Sequence, residues 1–299
     1  MQRRLFLRNT ALTLGAIHFL NFDSIASMLA DPAYKIRMLT NDVGIFTERG
    51  GTILFMLNKK GPIIVDAQFP DTAPHLIKEL QSRSKKEFRL LINTHHHGDH
   101  TSGNIAFKGL VPHVLAHANS LANQRSVAEK ANTLDKQLLP DQTYTNEWCE
   151  KIGKENICMH YYGPGHTNGD SLVHFQHRGV IHMGDLVFNR RHPVIDMAGG
   201  ASIANWVKVL EQTTSNFADS VKYVCGHAAE GYDVVLTSAD LLAFRDYLGN
   251  LLKYTSEAIA AGKTKAEILA ATTIPGSPEW KGDGIQRTIT AAYTELGGK

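Results

Sequence analysis

The hydrophobic pattern in the first part of the chain predicts short β-strands joined by tight turns. Apolar and β-branched residues are concentrated in three successive runs, residues 43–48, 52–58 and 62–67. Breaks that contain glycine, at residues 50–51 and 59–61, separate these runs. Such breaks are typical of hairpins, so the pattern predicts two hairpin-like connections.

The pattern then changes to helical spacing and returns to an extended run. Four apolar residues at helical spacing predict a helix over residues 71–82, with Asp71 as its N-cap: Ala73, Leu76, Ile77 and Leu80. Residues 88–93 form an apolar run that predicts a strand, and a cluster of histidines begins directly after Thr94. Because ligand sites in layered α/β folds lie at the carboxyl ends of strands, the cluster stands where a site is expected.

A second β-rich half and a helical tail follow. The polar stretch at residues 118–146 predicts helix and loop beside the site. Further strands are predicted at residues 157–162, 171–176, 180–183 and 221–225, and tail helices at residues 238–261, 264–271 and 284–296. Two strand-rich halves, each with helices, predict an α/β fold in which a four-layer αββα sandwich forms a single domain.

The first 30 residues have the pattern of a bacterial export signal. An arginine-rich start precedes an apolar stretch at residues 11–22 and small residues that suit a signal peptidase. Residues 3–8, Arg-Arg-Leu-Phe-Leu-Arg, resemble the twin-arginine signal. We therefore expect a signal peptide at residues 1–30, a mature domain at residues 31–299, and a periplasmic or secreted protein that has no membrane contact once the signal is removed.

Composition and charge narrow the classes of partner. Hydrophobic residues make up 43% of the chain and charged residues 20%, as in ordinary soluble globular proteins. Lysine and arginine total 31 against 29 acidic residues, a net charge of +2 that is too balanced for nucleic-acid binding. A small-molecule substrate is the partner that we expect, and the sequence leaves the oligomeric state open.

The three cysteines are Cys149, Cys158 and Cys225. An odd count without Cys-x-x-Cys spacing predicts buried free thiols. A bridge between Cys149 and Cys158 is the alternative, and it would be favoured in an oxidising compartment.

Residues 95–100 read His-His-His-Gly-Asp-His and carry the densest set of metal-binding side chains in the sequence. In an extended start, His95 and His97 share one face because strand side chains alternate, and His96 points away. Gly98 permits a turn, after which Asp99 and His100 can point back into the same space. Nitrogen and oxygen donors of this kind suit Zn²⁺ or a similar divalent ion.

Three more donors follow further along the chain, each close to a glycine and just past an apolar run. His166 lies in the glycine-rich stretch 163–170, Asp185 follows the predicted strand 180–183, and His227 follows the predicted strand 221–225. Ligands carried on loops of a rigid scaffold have this arrangement.

The order His-x-His-x-Asp-His, then His, Asp and His, resembles the metallo-β-lactamase superfamily over most of residues 40–230. Asp66, at the end of the third apolar run, is similar to the family's first motif, where an aspartate supports the site. The resemblance implies ligands for two Zn²⁺ ions: His95, His97 and His166 for the first, Asp99, His100 and His227 for the second, and Asp185 as the bridge. Manganese or iron can occupy the same donors.

The activity implied by this resemblance is metal-dependent hydrolysis. A water shared by two divalent cations has a lowered pKa, so a bridging hydroxide can attack an ester, thioester, lactone or amide at neutral pH. Asp99 is the expected catalytic residue, which orients the hydroxide and shuttles its proton. A carboxylate at position 185 is similar to the glyoxalase II, lactonase and general hydrolase branches, whereas the family's β-lactamases tend to have Cys or Ser there.

Three alternatives remain. A periplasmic β-lactamase is favoured by export and disfavoured by Asp185. An iron-dependent oxidoreductase is less favoured, because the di-iron branch resembles His-x-Glu-x-Asp-His and His97 stands in place of that Glu. A non-catalytic metal-binding protein is also less favoured, since a closed structural zinc site needs only four protein ligands.

Residues outside the ligand set have simpler expected roles. Arg190 or Arg191 would receive a substrate carboxylate if their segment lines the cleft, and a solvated surface pair is the alternative. His96 is expected beside the metals or at the surface. Surface or hydrogen-bonded core positions are expected for the other histidines considered: His113, His117, His160, His174, His177, His182 and His192.

Overall fold

Two β-sheets that share a buried apolar layer organise the computed structural model, which describes residues 34–298 of the chain. Within the described part of the chain, residues 36–298 belong to one compact unit. The export signal predicted at residues 1–30 lies outside the described residues.

The first sheet has seven strands in sequence order: β1 (Lys35–Met38), β2 (Val43–Thr47), β3 (Ile53–Met56), β4 (Ile63–Val65), β5 (Leu90–Ile92), β6 (Val114–His117) and β7 (Gln142–Tyr144). Strands β2, β3 and β4 are antiparallel, which confirms the two predicted hairpin-like connections. Strands β4 to β7 are parallel, so their carboxyl ends lie at one edge of the sheet.

The second sheet has six strands in the order β13-β12-β11-β10-β9-β8. They are β8 (Glu147–Ile152), β9 (Glu155–His160), β10 (Leu172–Phe175), β11 (Val180–Asn189), β12 (Lys222–Ala228) and β13 (Val235–Leu236). Strands β11 and β12 are parallel, and their register places Phe188 opposite His227.

The helices are α1 (Ala73–Arg83), α2 (Gly98–Thr101), α3 (Ala118–Lys130), α4 (Ile203–Asn216), α5 (Ser238–Ala260), α6 (Lys265–Leu269) and α7 (Ile285–Glu295). The three predicted tail helices are confirmed by α5, α6 and α7. The predicted N-cap of α1 was wrong, because Thr72 precedes the helix and the Asp71 carboxylate instead binds Arg49 at 2.6 Å. Among the described residues, no helix combines the length and apolar character needed to cross a membrane.

The alternating burial of the strands produces the layers. Ile63, Val65 and Ile92 belong to the apolar cluster between the two sheets, whereas Ile64 and Leu91 are buried on the opposite face. A second cluster joins the outer face of β11 to α4, α5 and α7. Both faces of each sheet are therefore covered, as the predicted four-layer αββα sandwich requires.

Cys149 and Cys158 form a disulfide, which corrects the prediction of free thiols at these two positions. The two residues are direct partners in the antiparallel β8–β9 pair, and their Cα atoms are 4.1 Å apart. Cross-strand pairing brings them together, and cysteine spacing alone does not reveal it. Cys225 is a buried free thiol, as predicted.

Candidate metal centre

The predicted ligands converge where the carboxyl ends of strands from both sheets meet. His95 follows β5 after a two-residue extension, and Asp99 and His100 lie in the short helix α2. His166 lies in the irregular segment between β9 and β10, and His227 lies near the end of β12. One space thus receives side chains that are up to about 130 positions apart in the sequence.

Asp185 lies inside a strand, whereas the sequence predicted that the strand ends before it. Strand β11 continues through the apolar residues 186–188 to Asn189, and its pairing with β12 shifts register at Gly184. Gly184 has φ +50°, and a Cβ there would lie 2.5 Å from Thr94 Oγ1. Only glycine fits this bulge, which re-aims the next side chain, Asp185, into the centre.

The first group of ligand atoms surrounds one point. His97 Nδ1 and His166 Nε2 are 2.8 Å apart. Asp185 Oδ2 lies 3.6 Å from His166 Nε2 and 4.0 Å from His95 Nε2. These four atoms all lie within 4.8 Å of one another, a spacing that a single cation could span.

The second group lies on the other side of the Asp185 carboxylate. Asp99 Oδ2 is 3.0 Å from His227 Nε2, and His100 Nε2 is 3.0 Å from Asp185 Oδ1. His227 Nε2 lies 3.5 Å from Asp185 Oδ2. Asp185 is therefore within reach of both groups, which is the position that the sequence predicted for a bridging ligand.

Four of the histidines are held by their second ring nitrogen. His95 Nδ1 lies 3.0 Å from Thr94 Oγ1, and His166 Nδ1 lies 2.8 Å from the Val194 carbonyl. His97 Nε2 and His100 Nδ1 each lie against a carboxylate, at 3.0 and 2.7 Å. Outer partners of this kind fix the ring orientation and the tautomer, and they leave the inner nitrogen available to a cation.

Asp66 orients His100, a member of the second group, through a hydrogen bond to its outer ring nitrogen. Its carboxylate is fully buried and accepts hydrogen bonds from Thr94 N, Thr94 Oγ1 and His100 Nδ1 at 2.7 to 2.8 Å. Its backbone adopts φ +68°, a left-handed conformation that is unusual for a residue other than glycine. Strain of this kind persists where the surrounding contacts require it, often at functional sites.

The donor set fits divalent cations. Three buried ligand atoms, His95 Nε2, His100 Nε2 and Asp185 Oδ1, have no hydrogen-bond partner, although the last two approach to 3.0 Å without hydrogen-bond geometry. Buried polar atoms without partners are rare in folded proteins and call for a specific explanation. Cations bound among these nitrogen and oxygen donors would satisfy all three atoms.

The electrostatics of the site keep most ligands in the form that binds metal. Burial lowers the pKa of His95 well below its ordinary value and that of His166 to about 3. Burial opposes ionisation of Asp185, but His227 and His100 outweigh it and hold the pKa of this carboxyl well below its usual range. His95 and His166 are therefore neutral and Asp185 is ionised at neutral pH, as metal ligands must be.

His100 behaves differently. Burial alone would lower its pKa, but the carboxylates of Asp185 and Asp66 together raise the pKa well above its ordinary value. Without a cation, this imidazole therefore holds a proton at neutral pH. Metal binding at His100 Nε2 would release that proton.

Sequence reasoning missed Asp196. Its Oδ2 lies 3.0 Å from His97 Nε2 and 3.3 Å from His96 Nε2. These hydrogen bonds, that from His96 first, hold the pKa of Asp196 well below its usual range. Asp196 lies in the irregular segment between β11 and α4, where Gly199 and Gly200 follow it but no predicted strand precedes it. His96 is buried and points to Asp196 instead of to the ligand groups.

The two arginines are not part of either ligand group. The Arg190 guanidinium lies over the Trp280 ring, 4.5 Å from its centroid, and Arg191 is exposed.

The seven histidines with simpler expected roles also lie outside both groups. His182, for example, accepts a hydrogen bond from Gly184 N and so supports the bulge.

Comparison with known proteins gives the family. A family model described as the metallo-beta-lactamase superfamily matches residues 46–271. The metallo-beta-lactamase type 2 of Elizabethkingia meningoseptica is 23% identical over 205 residues, which cover 66% of this chain and 79% of that protein. The 2,4-dinitroanisole O-demethylase subunit alpha of Nocardioides sp. is 30% identical over 165 residues, which cover 54% of this chain and 47% of that subunit.

Solved structures show the same fold. A metallo-beta-lactamase from Pontibacter korlensis matches 73% of this chain and 99% of its own, with a TM-score of 0.61 and 18% identity. The sec-alkylsulfatase Pisa1 from Pseudomonas sp. matches 88% of this chain and 50% of its own, with a TM-score of 0.69 and 14% identity. The predicted α/β fold is thereby confirmed.

Proposed function

Because the chain belongs to the metallo-beta-lactamase superfamily, we propose that it is a hydrolase that holds two Zn²⁺ ions and cleaves an ester, thioester, lactone or amide. The observation that carries this proposal is the position of the Asp185 carboxylate, within 4.0 Å of ligand nitrogens from both groups. A structural zinc site would need only four ligands, and this centre offers two groups joined by a shared carboxylate.

The two groups have distinct members. The first ion would be held by His95, His97 and His166, and the second ion would be held by Asp99, His100 and His227. Asp185 would bind both ions. Bound there, the two ions would supply Lewis-acid activation of a water nucleophile and polarisation of the scissile carbonyl. The predominance of imidazole nitrogen favours zinc, and manganese or iron would compete for the same donors.

Asp99 is the residue that we propose to move the proton. Its Oδ2 faces His227 Nε2 at 3.0 Å, and its side chain is more exposed than that of any other proposed ligand, at 31%. Burial opposes its ionisation, but the hydrogen bond with His227 prevails and lowers the pKa below the ordinary value. The carboxylate is therefore ionised at neutral pH, and its oxygen that does not face His227 would accept a proton from the nucleophile and pass it to the leaving group.

The second candidate is a β-lactamase, which the similarity to the Elizabethkingia meningoseptica protein favours. The carboxylate at position 185 weighs against it, since the β-lactamases of this family tend to have Cys or Ser there. We therefore propose a carbonyl substrate other than a β-lactam.

We also propose that the protein is exported. The Cys149–Cys158 disulfide supports this, because disulfides persist in oxidising compartments such as the periplasm. The arginine-rich, apolar start of the sequence supports it independently.

The test is metal quantification followed by a substrate panel on the zinc-loaded protein: esters, thioesters, lactones, amides, phosphodiesters and the β-lactam nitrocefin. We expect kcat/KM above about 10⁴ M⁻¹s⁻¹ for at least one carbonyl substrate other than nitrocefin, and loss of that activity in Asp185→Asn. Nitrocefin hydrolysis above that value would establish the β-lactamase instead. Iron in place of zinc, or no hydrolysis of any substrate, would overturn the proposal.

A further inference from the structure

The irregular segment between β11 and α4, residues 190–202, contacts two ligands of the first group. It binds the ring nitrogen of each histidine that faces away from the other ligands. His166 Nδ1 donates to the carbonyl of Val194 at 2.8 Å. His97 Nε2 donates to Asp196 Oδ2 at 3.0 Å. The nitrogens that face the first group, His166 Nε2 and His97 Nδ1, are the opposite ones of each ring. The segment therefore sets the direction in which both rings present their ligand atoms.

The Asp196 carboxylate is itself fixed. Its Oδ1 accepts a hydrogen bond from Gly199 N at 2.8 Å, and its Oδ2 also lies 3.3 Å from His96 Nε2. The backbone N–H of Asp196 donates to the His166 carbonyl at 3.2 Å. A carboxylate bound at both oxygens and through its backbone cannot turn away from His97 without breaking several hydrogen bonds at once.

The tail helix α7 makes hydrogen bonds near both ends of this segment. Thr288 Oγ1 donates to the Pro193 carbonyl at 2.9 Å. Glu295 accepts hydrogen bonds from Ile203 N and Ala204 N, at 2.7 and 2.9 Å, where α4 begins. The helical tail thus connects to the first ligand group through this segment.

We propose that Asp196 is a positioning residue for the first metal ion and that α7 holds the segment that carries it. This rests on the proposed function, since it concerns the same centre. A carboxylate that accepts from the outer N–H of a ligand imidazole fixes the tautomer and raises the basicity of the inner nitrogen. Asp196 acts through His97 and does not itself bind the ion.

The geometry also defines a competing arrangement. His96, His97 and Asp196 could hold a third cation, because one ligand atom from each lies within 4.8 Å of the others. We favour hydrogen bonding because His97 would need a deprotonated ring to bind cations at both nitrogens, whereas one neutral imidazole supplies a donor at Nε2 and a lone pair at Nδ1. The number of ions bound by the wild-type protein distinguishes the two arrangements.

The experiment titrates Zn²⁺ into metal-free protein against a chromophoric chelator and records the Co²⁺ spectrum of each variant. In Asp196→Ala we expect the affinity of the first group to fall by about 10- to 100-fold and that of the second to stay unchanged. Asp196→Asn should lose less affinity for the first ion than Asp196→Ala, because the amide oxygen of asparagine can still accept a hydrogen bond from His97. Thr288→Val, which removes the hydrogen bond to the Pro193 carbonyl together with the one to the Gly284 carbonyl, should show a smaller loss of affinity than Asp196→Ala, with unchanged circular dichroism.

Asp141→Asn is the matched control. Asp141 pairs with His113 at 2.8 Å, and both side chains are exposed beside the amino end of β6, at the opposite edge of the sheet. The same substitution there removes the charge from a similar histidine–carboxylate pair and should leave both affinities unchanged.

The outcomes separate the two proposals. Wild-type protein that binds fewer than two ions would overturn the proposed function. Two ions in the wild type, with unchanged first-group affinity and Co²⁺ spectrum in Asp196→Ala, would overturn only the role of Asp196. Three ions in the wild type and two in Asp196→Ala would show that Asp196 is a ligand, which also overturns the positioning role.

Discussion

His100 Nδ1 donates a hydrogen bond to Asp66 Oδ2 across 2.7 Å, and both side chains are fully buried. The same carboxylate accepts from Thr94, the residue that precedes the histidine run. Asp66 thereby joins the ends of β4 and β5 and orients a ligand of the second group. Its strained backbone, at φ +68°, is maintained by these three hydrogen bonds.

Asp66→Asn should weaken the second metal group. Asparagine tolerates positive φ, so the backbone is retained while the charge opposite His100 is lost. We expect a 10- to 100-fold lower affinity for the second ion, the size of effect that is usual when a hydrogen-bond partner of a metal-bound histidine is lost. The affinity for the first ion should not change. Competition with a chelator measures both affinities. Equal affinities in variant and wild type would show that Asp66 does not orient His100.

Loss of the Cys149–Cys158 disulfide should destabilise the fold. The bond joins residues nine positions apart, and closing a loop of this size contributes about 2–3 kcal/mol to the free energy of unfolding. We expect urea denaturation to show this loss in the Cys149→Ser, Cys158→Ser double variant. A reductant should lower the stability of the wild type by a similar amount and leave the double variant unaffected. A wild type insensitive to reductant would contradict the prediction.

His174 should make the stability of the protein fall at mildly acidic pH. Burial, with a smaller contribution from His160, lowers the pKa of His174 to about 4, whereas a histidine in the unfolded chain titrates near 6.5. The unfolded state therefore binds the proton more readily, so stability is complete above about pH 6.5 and is lost progressively as the pH falls towards 4.

His174→Phe removes this titration and keeps a ring against Phe217, which lies 4.8 Å away in an edge-on contact. Denaturation of chelator-treated protein at pH 7 and pH 5 measures the effect. We expect the drop in unfolding free energy between these pH values to be about 1–2 kcal/mol smaller in the variant. An identical drop in both proteins would mean that His174 is not responsible.

Arg190 and Arg191 should respond differently to substitution. The Arg190 guanidinium stacks on Trp280, so Arg190→Met should lower the unfolding free energy by about 1 kcal/mol. Arg191 is exposed, and Arg191→Met should change stability by less than about 0.5 kcal/mol. The carboxylate-binding role predicted from the sequence requires a higher KM for anionic substrates in one variant, with no change for neutral ones. Unchanged KM values in both would exclude that role.

Local patterns predicted the elements that carry most of the proposed ligands. The apolar run before Thr94 located β5, and strand alternation separated His95 and His97 from His96, which points instead to Asp196. The position of β5 was predicted correctly because it depends on neighbours in the sequence, whereas the assignment of these histidines as ligands stays a prediction. The position of Asp185 inside β11 depended on a bulge at Gly184, and a strand interrupted by glycine resembles a strand that ends there.

The features that the sequence did not reveal depend on how separate elements pair and pack, and not on the pattern within one element. Cys149 and Cys158 meet only because β8 and β9 pair in one particular register. Asp196 gains its role from a segment that is anchored by a helix about 90 residues further along the chain. Neither contact leaves a periodic pattern, so the folded chain was needed to find them.

The central claim is that two groups of side chains, joined by Asp185, each hold one metal ion. Elemental analysis of purified wild type, His166→Ala and His227→Ala, after equilibration with Zn²⁺ and removal of the free metal, tests it directly. We expect two ions per chain in the wild type and one in each variant, with the first group emptied by His166→Ala and the second by His227→Ala. One ion or none in the wild type, or two ions retained in both variants, would contradict it.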